Sequence, residues 1–154
     1  MLTKPVGEGP FPAVVLLHGC SGIVPHYGVW ADRLAGWGYV ALQVDSLKPR
    51  GETYICDKVF AISPFTRAKD AHAAKAYLAG LRFVRGEQIA VLGWSHGGWA
   101  TLLTLNNSPN VERWSDPFQA AVAFYPWCRG AIYHLDAPLL ILIGERDDWT
   151  PAGL

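Results

Sequence analysis

The stretch VLGWSHGGWA (Val91–Ala100) decides how this chain reads. An apolar run ending at Trp94 passes straight into Gly-x-Ser-x-Gly, with Gly93, Ser95 and Gly97 at the fixed places. That pattern predicts a sharp strand-to-helix turn with the serine at its tip. The residues two before and two after the serine must be small, because strand and helix pass close together there. The turn is expected to push the Ser95 hydroxyl out at the top of a sheet, beside a helix N-terminus. The partial positive charge at that end favours a developing negative charge. A serine so placed is a nucleophile toward carbonyl carbon, and it needs a histidine base. The competing reading is a structural turn with an incidental serine.

Working outward, five apolar runs read as strands: Ala13–Gly19, Tyr39–Ser46, Gln88–Ser95, Ala120–Pro126 and Pro138–Glu145. They are rich in Val, Leu and Ile with little polar alternation, as in strands buried on both faces of a parallel sheet. Helices fall between them. Tyr27–Gly38 ends in a glycine stop, and Ser63–Leu81 opens with Ser63 as N-cap and Pro64 at the first helical position. In the latter, Ala71, Ala74, Leu78 and Leu81 share one helical face. A third helix begins at Gly97. The alternation predicts one α/β domain over residues 1–154, with a mainly parallel sheet flanked by helices. The long irregular stretch Ser46–Ile62 is of the kind that carries function.

Two further segments complete a site. LLHGCSG (Leu16–Gly22) closes the first strong strand, where a His-Gly turn supplies a second oxyanion donor. The expected donors are the backbone N–H groups of His96 and Cys20, with Ser21 as the alternative to Cys20. His18 is read as a residue that orients this loop. IGERDDWTPA (Ile143–Ala152) follows the last apolar run and puts an acid at the carboxyl edge of the sheet. Asp147 is favoured to orient the base, with Asp148 left to cap a turn or face solvent. The alternative makes both turn residues.

In this order the motifs resemble the α/β-hydrolase fold, and more closely the dienelactone hydrolase family. The resemblance rests on GPFPAVVLLHGCSG, WADRLAGWGYVALQVDS, the following PRG, VLGWSHGGWA and IGERDDWTPA, which span nearly the whole chain. It implies a hydrolase of carboxylic esters or lactones, with Ser95 as nucleophile and Asp147 as acid. Two departures stand out. The enzymes that give the family its name use a cysteine nucleophile, and this chain has Ser95. The triad order is serine, acid, histidine, and residues 148–154 contain no histidine. The resemblance therefore implies an incomplete fold, lacking a C-terminal segment that carries the base and shortened at the N-terminus.

Five histidines are present. His96 is directed away by the elbow, and His18 belongs to the oxyanion loop. His26 reaches the site only if its loop folds inward, His72 sits mid-helix, and His134 lies in the connection before the acid strand. A base must come within about 3 Å of the hydroxyl, and none is favoured. An alternative to an enzyme is a catalytically incomplete domain that acts by binding or by pairing through an exposed sheet edge, as a homodimer.

The formal net charge is zero, which leaves no basic footprint for nucleic acid and no polybasic segment for a membrane surface. No apolar run approaches a membrane span and no signal sequence is visible, so a cytoplasmic protein is expected. No metal or organic cofactor is implied. Cys20, Cys56 and Cys128 are expected as reduced, partly buried thiols, with a Cys20–Cys56 disulfide as the alternative. Trp94, Trp99, Tyr125, Trp127 and Trp149 are expected in core or rim positions rather than in an acyl pocket. Arg50 and Arg67 are candidates for a substrate carboxylate. Solvated or helix-paired arginine is favoured, with Arg67 and Asp70 as an i, i+3 pair.

Overall fold

A computed structural model describes residues 1–106, 116–128 and 135–152. The strands are β1 (Leu2–Thr3), β2 (Phe11–Leu17), β3 (Val40–Val44), β4 (Val84–Trp94), β5 (Ala121–Phe124) and β6 (Leu139–Leu142). They form one sheet in the order β1-β3-β2-β4-β5-β6, with β1 antiparallel to β3 and every other pairing parallel. The helices are α1 (Pro25–Gly36), α2 (Pro64–Ala79) and α3 (His96–Thr104). This is the α/β architecture the apolar runs predict.

Alternation along β2 shows how the layers are built. Ala13, Val15 and Leu17 face a core shared with Ala71, Ala74 and Leu78 of α2 and Ala100 of α3. Val14 and Leu16 face the other side, against Tyr27, Ala31 and Leu34 of α1. Both faces of the strand are therefore covered, which is why its sequence carries no polar alternation. At the start of α2, the Ser63 hydroxyl accepts from the Phe65 N–H and Pro64 occupies the first turn, as its sequence requires.

Most elements end within a few residues of the expected bounds, and three differences from the sequence reading bear on the fold. β1 was not expected, because two residues are too few to show a period. β4 begins at Val84, four residues before Gln88, across a register shift against β2 between Phe11 and Ala13. α1 starts at Pro25, which takes the N-terminal position proline tolerates.

The topology fixes the place of a site. From β2 the chain goes to β3 on one side, then returns to β4 on the other. The strand order thus reverses between β2 and β4, where Leu17 pairs with Gly93. Open α/β sheets bind ligands at the carboxyl ends of strands around such a point. No helix among the described residues is long and apolar enough to cross a membrane.

Candidate active site

Ser95 stands at the carboxyl end of β4 with φ 52° and ψ −118°, a backbone conformation a non-glycine residue holds only under constraint. Two bonds supply the constraint. The Ser95 N–H donates to the Phe124 carbonyl (2.9 Å), and the Ser95 carbonyl accepts from the Trp99 N–H (2.9 Å). The glycines around it meet a steric need. A β-carbon on Gly93 would overlap the Gly97 carbonyl and the Thr101 hydroxyl, and one on Gly97 would overlap the Leu17 carbonyl. Although Ser95 holds the N-cap place of α3, its hydroxyl caps none of that helix's N–H groups.

The other expected residues converge on it. Ser95, Cys20, Ser21, Asp147, Trp149 and Thr150 line one open cleft of about 540 Å³, together with His26, Tyr27, Tyr54, Cys56 and Tyr125. A narrower apolar slot opens beside Ser95 and His96 between Trp99, Trp127 and Trp149. Trp94 is a core residue, stacked on Phe124, whereas Trp99, Trp127, Tyr125 and Trp149 border the two openings. The Cys20 carbonyl accepts from the Ile55 N–H (2.8 Å), and the loop around it is shaped by the Tyr27 hydroxyl, which accepts the Gly19 N–H (2.7 Å).

Asp147 is half-buried and highly organised. Its Oδ1 accepts from the N–H groups of Trp149 (2.9 Å) and Thr150 (2.8 Å), and its Oδ2 accepts from the Thr150 hydroxyl (2.8 Å). These donors hold its carboxyl below the usual range, with the Thr150 bonds the largest cause. Asp148 is exposed. Of the adjacent acids, Asp147 is thus the one that faces the cleft. Tyr125 has φ 36°, and burial together with the Asp147 charge raises its phenol pKa.

The histidines separate by their partners. His96 Nε2 donates to the Val59 carbonyl (2.8 Å), which leaves Nδ1 to accept from Arg67 Nη1 (2.9 Å). His18 Nδ1 donates to the Gly19 carbonyl (2.7 Å), and its Nε2 faces the Ser46 N–H (3.4 Å). Burial and then the Arg67 charge lower both pKa values to about 4. Each is a neutral, fully engaged structural ring at neutral pH. His72 is buried on α2 against Phe118, away from the cleft. His26 is exposed on the cleft wall and packs on Tyr27 with ring centroids 3.8 Å apart. His134 lies outside the described residues.

Two expectations are corrected. Cys20 and Cys56 form a disulfide, leaving Cys128 as the free thiol. The thirty-six-residue separation concealed the pairing; it arises because the 46–62 loop folds back over the His-Gly turn. Arg67 is neither solvated nor paired with Asp70. Asp70 takes a two-pronged pair with Arg50 (2.8 Å and 2.8 Å), and Arg67 is wholly buried, bonded to His96 and the His18 carbonyl. The signal was present: Arg67 continues the Ala71, Ala74, Leu78 face one turn back, so it points inward.

The dienelactone hydrolase family profile matches residues 1–154. A Bradyrhizobium protein named as a 2-oxo-3-(5-oxofuran-2-ylidene)propanoate lactonase is 26% identical over 167 residues, covering 96% of this chain. The chain spans 64% of that relative, slightly under two thirds of its length. A crystal structure from Klebsiella pneumoniae, of a protein carried under the name dienelactone hydrolase, superposes with a TM-score of 0.80 at 22% identity. It covers 99% of this chain and 69% of its own, and shares the fold.

Proposed function

This chain belongs to the dienelactone hydrolase family, and from that premise we propose that it is a serine hydrolase cleaving carboxylic esters or lactones through an acyl-enzyme. The observation that carries the reading is the strained, uncapped Ser95 facing a cleft it shares with Asp147. Ser95 Oγ attacks the substrate carbonyl carbon and its proton passes to a histidine base. The N–H groups of His96 and Cys20 hold the oxyanion. Collapse of the tetrahedral intermediate expels the alcohol, or opens the lactone, and water then releases the acid. Asp147 orients the base through the ring nitrogen that does not face Ser95.

His18 and His96 are excluded as bases because both ring nitrogens of each are engaged. The family order of nucleophile, acid and histidine places the base after Asp147. His26, exposed on the cleft wall, is the substitute within the described residues.

The test is hydrolysis of p-nitrophenyl acetate by this chain beside Ser95→Ala. Turnover that disappears in the variant supports the reading, and equal rates in both count against an activated Ser95. A second reading, a domain acting by pairing with another copy, draws on β6. Leu140, Ile141 and Leu142 there are exposed at the sheet edge. A monomer in size-exclusion chromatography at micromolar concentration would remove it.

A further inference from the structure

Arg67 presents a contradiction that the fold alone does not resolve. Its side chain is 0% exposed, and among the described residues no carboxylate forms an ion pair with it. Asp70, the nearest acid on its own helix face by sequence, is taken by Arg50. The acceptors that Arg67 does have are neutral: the His96 ring at Nδ1 (2.9 Å) and the His18 carbonyl (2.5 Å). Its approach to His18 Nδ1 (3.3 Å) brings two donors together and adds no bond. Its Nε–H has no partner. A buried guanidinium in such company is expensive, and a packing role would be met better by an apolar side chain of the same shape.

The two residues it grips explain its retention. His96 carries one of the N–H groups assigned to the oxyanion hole, and His18 begins the turn that carries the other at Cys20. These two segments come from different strands, β4 and β2, and Arg67 of α2 bonds to both. Because a guanidinium only donates, it also fixes the His96 ring with Nδ1 as acceptor and Nε2–H toward Val59.

We propose that Arg67 is a positioning residue of the oxyanion hole: it clamps the His18 turn to His96, and its unneutralised charge is complemented only when an oxyanion forms above them. The oxyanion half of this proposal rests on the serine hydrolase reading; the clamp itself does not.

The experiment pairs Arg67→Met and Arg67→Lys with two readouts, p-nitrophenyl acetate kinetics and 15N NMR of the His96 ring. Circular dichroism reports the fold. Arg67→Met is expected to lower kcat on the order of 30-fold with KM within about threefold, less than the loss of a direct donor. Arg67→Lys, which keeps the charge and donors, should recover part of that loss. In Arg67→Met the His96 Nδ1 resonance should move downfield, as a ring nitrogen does when it loses its hydrogen-bond donor, while Nε2–H stays on the Val59 carbonyl. A folded Arg67→Met with unchanged kcat would overturn the proposal, as would an unchanged His96 Nδ1 resonance. If the parent shows no Ser95-dependent turnover, the hydrolase reading fails, and the NMR readout still decides the clamp. If Arg67→Met does not fold, Arg67→Gln, a neutral donor, serves the same comparison.

Discussion

Gly97, at the start of α3, packs its α-carbon against the carbonyl oxygen of Leu17, at the end of β2, with no room for a β-carbon between them. That contact is what brings the nucleophile turn beside the His-Gly turn. Gly97→Ala is therefore expected to destabilise the protein by about 3 kcal/mol or more, since the obstacle is backbone and cannot rotate away. Gly28 in α1 is the control, because a β-carbon there meets nothing within 4 Å. Gly28→Ala should gain about 0.5–1 kcal/mol of helix propensity. Urea denaturation of the two variants measures both. Similar midpoints for them would show that the elbow tolerates a methyl group.

Ser95 holds positive φ at a cost of roughly 1–3 kcal/mol. Glycine adopts that conformation freely, and alanine does not. Ser95→Gly and Ser95→Ala should both abolish Ser95-dependent esterase activity. Yet Ser95→Gly should be the more stable by about 1 kcal/mol, and it should exceed the parent if strain outweighs glycine's entropy in the unfolded chain. Calorimetric melting of the three proteins decides this. An alanine variant as stable as the glycine one would mean the turn is not strained.

His18 and His96 give the protein a pH dependence of definite sign. Each takes up its proton near pH 6.5 when unfolded and only near pH 4 when folded. Between those values the unfolded state binds more protons, so stability is full above pH 6.5 and falls as pH drops through the window. The slope is on the order of 1 kcal/mol per pH unit for each ring. Urea midpoints should drop clearly from pH 7 to pH 5. His96→Asn, whose Oδ1 replaces the acceptor that Arg67 uses, should flatten the slope by about half. A midpoint that is level from pH 7 to pH 5 would refute the burial argument.

The features legible in sequence were those set by short-range rules. Gly-x-Ser-x-Gly after an apolar run announced the elbow, and buried runs without alternation announced the parallel sheet. Asp147 could be preferred to Asp148, and the Trp149 and Thr150 N–H groups hold it at the cleft. Contacts made by the 46–62 loop were not legible. Its return over the His-Gly turn joins Cys56 to Cys20 and brings Val59 to His96, across separations that no periodicity encodes. Arg67 was misread because an i, i+3 acid is the default partner of a surface arginine. The apolar face it extends was the better guide. Tyr27 was seen only as the start of a helix, whereas its hydroxyl accepts the Gly19 N–H.

The Cys20–Cys56 disulfide closes a loop across a sequence separation of 36 and ties the 46–62 segment to the residue assigned as an oxyanion donor. Loop-closure entropy alone gives it about 4 kcal/mol of stability. The Ile55 N–H to Cys20 carbonyl bond, the Ser46 N–H facing His18 Nε2 and local packing around Leu47 and Ile62 share its hold on that turn. Denatured, unreduced protein should therefore titrate one thiol, Cys128, and reduced protein three. Cys56→Ala spares the Cys20 backbone in the cleft. It should lower stability by about 3–4 kcal/mol, and should reduce esterase kcat severalfold more than it changes KM, because the donor at Cys20 is less well held. Adding a thiol reductant to the parent should reproduce both effects, and adding it to Cys56→Ala should produce neither. Three titratable thiols in the unreduced protein would show that the bond does not form. A reductant effect of equal size in Cys56→Ala would place the sensitivity elsewhere.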